Sequence, residues 1–226
     1  MKIEHIVFEN RYDAFEQLCN VLPISDMKQE EWIILAISSG AVPIALNLTR
    51  KLDGKFDFLF TKKIYTKKNS ECEIAIVTET NEIIIHEELM KSFNLDLKVI
   101  YRNSEEKYLK DIKKYKALYR NNLDIIDFEN KNVLLVDEGL NTGLTMMACI
   151  KSVIAKKAKS ICVAVPVLPK VTIDDIESIA DDLYYIQAPA HFLSIDFYYK
   201  ELKEIKLKEI EKLKENYKKE NNVNNM

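Results

Sequence analysis

Glycine is scarce: Gly40, Gly54, Gly139 and Gly143 are the only four in 226 residues, against an average usage of about 7%. Three of them fall in two short segments, which marks those segments as places where the backbone needs a conformation that a side chain forbids. The cysteines, Cys19, Cys72, Cys149 and Cys162, lie far apart with no C-x-x-C pair. That excludes a zinc cluster or a dithiol redox motif and fits reduced thiols in a cytoplasm. His5, His86 and His191 are equally scattered, none at metal-ligand spacing from another. No run approaches the roughly 20 apolar residues of a membrane span. The first ten residues alternate charged with apolar groups where a secretory signal would carry an unbroken hydrophobic stretch. Neither sign of charge dominates, since 33 Lys and Arg against 36 Asp and Glu leave a formal charge of -3. No global field draws the chain to nucleic acid or anionic lipid, so an anionic ligand must be held by local chemistry.

What is present suffices for a folded core. Hydrophobic residues make up 47% and charged residues 31%, which excludes wholesale disorder, and the length excludes a large multidomain machine. The spacing of Phe15 and Leu18 predicts a helix over 11–21. The apolar run 32–37 predicts a strand buried on both faces, and Ile44, Leu48 and Leu52 predict a helix over 41–52 with Pro43 tolerated in its first turn. Further strands are expected at 57–60, 73–78, 82–85, 133–136, 161–165 and 183–186. Helices are expected within 87–122, along a stripe of Leu109, Ile112, Tyr115 and Leu118 or Tyr119. Others are expected after 145, on Met146, Met147, Ile150, Val153 and Ile154, and at 172–180. A long helix from a Ser194 cap to about residue 217 precedes a polar tail expected to fray. Buried strands alternating with amphipathic helices define an α/β fold with a mostly parallel central sheet flanked by helices. Residues 1–200 read as one α/β domain and 201–226 as a charged helical extension. In such sheets ligands bind beyond the carboxyl ends of the strands, and both glycine-bearing segments lie there.

The stronger signal follows the strand at 133–136. Asp137 and Glu138 are delivered to the strand end, and Gly139, Leu140, Asn141, Thr142, Gly143, Leu144 and Thr145 then form a turn that opens a helix. A helix mouth carries roughly half a positive charge on unpaired N–H groups and seats phosphate. Gly139 and Gly143 permit close backbone approach, while Thr142 and Thr145 supply hydroxyl donors. Carboxylates beside a phosphate seat make sense if they accept hydrogen bonds from sugar hydroxyls or help hold a ligand-borne divalent cation. A nucleoside-triphosphate P-loop is disfavoured, because Leu144 stands where its lysine would be.

The stretch 133–145 resembles the acid-acid-Gly-x-x-Thr-Gly-x-Thr signature of the type I phosphoribosyltransferases. Phe8-Glu-Asn-Arg11-Tyr-Asp-Ala14, residues 163–167 and Ala188-Pro-Ala-His-Phe192 also look like elements of an uncharacterised bacterial subgroup, so the likeness spans roughly residues 8–202. The resemblance implies a Rossmann-like sheet with a small hood or lid, and a transferase that moves ribose 5-phosphate from phosphoribosyl pyrophosphate to a nitrogen acceptor. It implies Mg2+ carried with that substrate, Asp137 and Glu138 on the ribose, residues 139–145 on the 5-phosphate, and Ser38, Ser39, Gly40 and Ala41 on the pyrophosphate. A mobile basic loop with Lys62, Lys63, Lys67 and Lys68 would neutralise the leaving group. It points to Val167, Lys170, Phe192 and Tyr198 for the acceptor, although aromatic residues there serve equally as core. Two positions depart from the family. Ser39 stands where relatives commonly have Arg or Lys, and Asn141 stands where purine-salvage relatives have an aspartate, and an amide cannot act as a general base. A non-catalytic sensor of phosphoribosyl pyrophosphate or a nucleotide therefore stays open beside the enzyme. So does a homodimer, for which Leu202, Ile205, Leu207, Ile210 and Leu213 offer an apolar seam.

Overall fold

The three inner strands of the central sheet divide their apolar residues between two faces. Ile34, Ala36, Leu134, Val136, Cys162 and Ala164 enter one core, while Ile33, Leu35, Val133, Leu135, Val163 and Val165 enter the other. Alternation at a period of two, with both faces buried, is why these strands read as unbroken apolar runs. The computed structural model describes residues 7–66 and 72–224. Its elements are α1 (Arg11–Val21), α2 (Ile24–Met27), β1 (Trp32–Ala36), α3 (Val42–Leu52), β2 (Lys55–Phe58), β3 (Thr61–Tyr65), β4 (Glu73–Thr78) and β5 (Ile83–Ile85). There follow α4 (Glu87–Ser92), α5 (Leu97–Lys107), a π-helical turn (Tyr108–Ile112), α6 (Lys113–Arg120), β6 (Asn132–Val136) and α7 (Leu144–Ala155). The chain continues with β7 (Ser160–Val167), a 3-10 turn (Lys170–Thr172), α8 (Ile173–Glu177), β8 (Asp182–Gln187), another 3-10 turn (Ile195–Tyr198) and α9 (Leu207–Asn224).

The five-stranded sheet has the order β2-β1-β6-β7-β8, and every pairing in it is parallel. The chain leaves β1 toward β2 and re-enters on the other side at β6, so the order reverses between β1 and β6. That reversal opens a crevice at their carboxyl ends, where this class of sheet binds ligands. The expected α/β architecture is the one observed. A smaller antiparallel sheet, β3-β4-β5, forms a hood with α5, the π-helical turn and α6 around Phe60, Ile64, Ile74, Ile100 and Ile112. The hood rests on α7. Leu144 and Ala148 pack against Ile76 and Ile84, and buried Ser152 donates to the Thr78 hydroxyl at 2.8 Å.

Several expectations change. The strand expected at 57–60 lies at Lys55–Phe58, and Thr61–Tyr65, expected as the start of a mobile basic loop, is strand β3 of the hood. Lys62 and Lys63 therefore sit on a sheet, held by pairing with β4, while Lys67 and Lys68 lie outside the described residues. The stripe through 109 and 118 shifts. The wide π-helical turn carries Tyr108 inward with Ile112, Tyr115 and Tyr119, and leaves Leu109 and Leu118 about half exposed. On α7 the expected face holds except for exposed Ile154. The helix expected at 172–180 is a 3-10 turn followed by the short α8. Ser194 caps no long helix: it precedes the second 3-10 turn, after which Tyr199 is extended and residues 200–206 are non-helical up to α9. The competitor that wins there is tertiary: Phe8 N–H donates to Tyr198 O, and Lys200 N–H to Phe8 O, both at 2.8 Å. Leu202, Ile205, Ile210 and Leu213 of the expected assembly seam pack on the α1/α3 face of this chain's own core.

Candidate functional site

A cavity of about 730 Å³ opens at the strand-order reversal, lined by both strand-end loops, by the hood and by Glu204, Ile205, Lys206, Ile210 and Lys214. Its floor comes from the loop after β6. Asp137 is buried, and its Oδ1 accepts from Ser38 Oγ at 2.5 Å and from the Glu138 N–H at 2.8 Å. Burial is the leading cause that pushes its carboxyl from the ordinary 3.8 up to about 7, against the lowering effect of the Ser38 hydrogen bond. Ser38 thus ties the loop after β1 to the loop after β6, and its Oγ also accepts from the Ala41 N–H at 3.1 Å.

Glu138 stands differently from its neighbour. Arg11 Nε donates to its Oε2 at 2.6 Å, and a second Arg11 nitrogen donates to Lys203 O at 2.9 Å. The Tyr199 hydroxyl donates to Glu138 O at 2.7 Å. Burial raises the Glu138 carboxyl, with Arg11 opposing. The carboxylate lies against the loop after β1: a Cβ on Gly40 would stand 2.1 Å from it, so a side chain there would push the Glu138 carboxylate from its place beside Arg11. Neither Arg11 nor Tyr199 stood out on chemistry in the sequence. The available signal for Arg11 was its place in the Phe8–Ala14 resemblance segment.

The mouth of α7 is open to the cavity. Gly143 adopts φ 74°, a left-handed conformation that strains any side chain, and serves as the helix N-cap. Gly139, Leu140, Asn141, Thr142, Gly143 and Thr145 all line the cavity, with Asn141 and Thr142 exposed, whereas Leu144 is turned into the hood core. Of the loop after β1, Ser38 and Ser39 line the cavity, and Gly40 and Ala41 are buried behind them. Of the acceptor candidates, Tyr198 is fully buried and Phe192 stacks on it at 5.3 Å between ring centroids, so these two serve the core.

The hood supplies the facing wall. Lys63 meets Glu73 at 2.7 Å; burial works against its charge, but Glu73, then Tyr65 and last Asp137 hold its pKa above the ordinary lysine value. Lys62 instead donates to the Tyr115 hydroxyl at 2.6 Å, with its ammonium 4.3 Å from that ring's centroid. Behind them is a buried ion cluster that sequence reasoning missed. Arg120 pairs with Glu79 and with Asp57 at 3.4 Å, Asp57 also accepts from the Ile126 N–H at 2.9 Å, and Glu79 from the Phe60 N–H at 2.9 Å. These residues are far apart in sequence, so no local pattern marks them as partners. Among the described residues, no group of three or more His, Cys, Asp and Glu side chains is arranged to hold a metal ion, and no helix is long and apolar enough to cross a membrane.

A strand-end acid pair, an open helix mouth at a parallel-sheet reversal and a hood above them are what the type I resemblance leads one to expect. The phosphoribosyl transferase domain model matches residues 22–202, and the chain belongs to that family. A Mycobacterium tuberculosis protein provisionally named a phosphoribosyl transferase is 23% identical over 189 residues, covering 84% of this chain and 42% of its own length. The chain thus spans about two fifths of the length of the curated relatives it matches. The crystal structure of TT1426 from Thermus thermophilus is similar with a TM-score of 0.74 at 23% identity, covering 91% of this chain and 96% of that one. That likeness carries the fold.

Proposed function

We propose that this chain transfers ribose 5-phosphate from magnesium phosphoribosyl pyrophosphate to a nitrogen acceptor, releasing pyrophosphate. The observation that carries the reading is the convergence on one cavity of the α7 mouth, Asp137, Ser38 and Ser39, and Lys62 and Lys63. The exposed Thr142 and the half-buried Thr145 present hydroxyls beside the helix N–H groups, a seat for the 5-phosphate. Asp137 faces the ribose hydroxyls, and its raised pKa gives it a carboxyl that either donates or accepts near neutrality. Ser38, Ser39 and the hood lysines face the pyrophosphate. In this scheme magnesium enters with the substrate, whose phosphate oxygens carry it. In the transfer, the bond from the anomeric carbon to the pyrophosphate oxygen breaks with both electrons leaving on oxygen. The acceptor nitrogen forms the new bond, and its proton passes to the departing pyrophosphate or to water. Charge neutralisation and exclusion of water are the protein's contribution.

Calorimetry of magnesium phosphoribosyl pyrophosphate on the wild-type chain and on Thr142→Val and Thr145→Val tests the reading. Each variant is expected to weaken affinity about tenfold, since a hydrogen bond to a charged group is worth about 1.5–3 kcal/mol. Unchanged affinity in both would remove the 5-phosphate from the α7 mouth. Tight binding with no pyrophosphate release for any acceptor would favour the sensor, for which Ser39 and Asn141 leave room.

A further inference from the structure

Each acid of the loop after β6 is held by one of its two carboxylate oxygens. Asp137 Oδ1 accepts from the Ser38 hydroxyl and the Glu138 N–H, and Glu138 Oε2 accepts from Arg11 Nε at 2.6 Å. Asp137 Oδ2 and Glu138 Oε1 accept from no group among the described residues, and both acids line the cavity. Each acid thus keeps one oxygen for a ligand. The residue that clamps Glu138 is itself firmly placed. Arg11 opens α1, where the Asn10 side chain accepts from the Tyr12 and Asp13 N–H groups at 2.9 and 3.1 Å. Just upstream, Phe8 is bonded between Tyr198 and Lys200. From this fixed start the guanidinium spans Glu138 and Lys203 O, while the Tyr199 hydroxyl holds the Glu138 carbonyl.

The Arg11 and Glu138 side chains are only 12% and 18% exposed. An ion pair so enclosed adds little stability over apolar packing of the same shape, so fastening alone does not account for one at the edge of a cavity. A carboxylate restrained through one oxygen loses less freedom when a hydroxyl reaches the other. We propose that Arg11 is a positioning residue for the sugar: by clamping Oε2 it sets Oε1 of Glu138 to accept from one ribose hydroxyl, as Ser38 sets Asp137 for the other. This inference rests on the proposed transferase reading and extends it to a residue of α1. The surrounding charges agree with the geometry. Arg11 favours the ionised, accepting form of Glu138 against burial and against Asp196 of the second 3-10 turn, with Asp137 beside it in its own loop.

Calorimetry on the full chain tests this with ribose 5-phosphate and its 2-deoxy and 3-deoxy analogues, which keep the phosphate and each lack one hydroxyl; magnesium phosphoribosyl pyrophosphate is measured alongside. The wild type is expected to favour ribose 5-phosphate about tenfold over each analogue. In Arg11→Met the preference over one analogue is expected to fall to about threefold or less, with the other preference kept. Affinity for the first analogue, which has no hydroxyl for Glu138, stays near the wild-type value. Arg11→Lys is expected to restore most of the lost preference. Glu138→Gln should lose the same one, and Arg11→Met added to it should change the preference no further. Tyr199→Phe loosens the Glu138 carbonyl without burying a charge; it is expected to lower the same single preference less, and it decides the matter if Arg11→Met does not fold. Equal loss for all three sugars, the mark of a merely structural pair, overturns the proposal, and so do two preferences left intact. A wild-type chain that binds magnesium phosphoribosyl pyrophosphate without distinguishing the three sugars overturns it as well. Binding of none of these ligands is a different result: it overturns the transferase reading itself, and this inference with it.

Discussion

The parallel sheet and the hood each enclose an apolar core, yet they present different surfaces to the cavity where they meet. In the parallel sheet the strands Trp32–Ala36 and Asn132–Val136 are buried at every position, and what they present to the cavity is largely backbone: a helix mouth, two serines and a glycine-shaped turn. In the hood, β3 alternates exposed and buried residues, and the cavity wall is side chain: Lys62, Lys63, Tyr115, Tyr119 and the Arg120 cluster. Apolar burial scales with area and is indifferent to direction, so it yields a rigid frame. Charged and aromatic side chains are directional, so they suit the face that must discriminate between ligands.

The sharpest way to break this contrast is Arg120→Met, which leaves Asp57 and Glu79 buried without their cation. A loss of about 3–5 kcal/mol is expected in urea unfolding, with hydrogen exchange rising first in β3 and β4 while the parallel sheet stays protected. Equal exchange in both regions would mean that the cluster fastens the whole molecule and not the hood.

The next effect belongs to the parallel sheet. The buried Asp137 carboxyl titrates near 7 when folded against 3.8 ordinarily, so between those values the folded chain binds more protons than the unfolded one. Stability therefore falls as pH rises from about 4 to about 7, by up to roughly 1.4 kcal/mol per pH unit. Asp137→Asn keeps an acceptor for Ser38 and the Glu138 N–H and removes the titration. Its unfolding free energy is expected to be flatter over that window and higher than wild type near pH 8. A parallel pair of pH curves would contradict the assignment.

Arg11→Met is expected to cost about 1.5–3 kcal/mol, the worth of a hydrogen bond between charged groups. It should also raise the Glu138 carboxyl further, because the guanidinium is what opposes burial there. Carbon-detected NMR titration of Glu138 in the variant reads this directly. Gly143→Ala, at φ 74°, is expected to cost about 1–2 kcal/mol from left-handed strain, the smallest of the four. If it matched Arg120→Met, the helix mouth and not the ion cluster would be the more strained junction.

Much of the frame could be read in the chain before any coordinates. Continuous apolar runs imply strands buried on both faces, and helical spacing between them implies the parallel sheet. The scarce glycines at 40, 139 and 143 lie at the two loops that meet at the cavity; Gly143 has a local reason, its positive φ, whereas Gly40 faces Glu138 and Gly139 faces Val167 and Ile195, neighbours that only the fold supplies. The misreadings cluster in the hood and near the carboxyl end. Residues 61–65 carry a polar, lysine-rich pattern that reads as loop, yet pairing with β4 makes them strand. Residues 199–206 have helical spacing, yet backbone bonds to Phe8 and Glu9 draw their first residues into extended structure.

What the sequence determined alone was therefore whatever depends on neighbours along the chain: apolar period, turn chemistry and the acid-acid-glycine loop opening a helix. Only the tertiary structure decided which partners distant residues found. It set Arg11 and Tyr199 on Glu138, enclosed Arg120 between Asp57 and Glu79, and turned Lys62 and Lys63 to different sides of one cavity. Those pairings link residues separated by ten to more than a hundred positions, and their energies depend on burial and distance, quantities that exist only once the chain has folded.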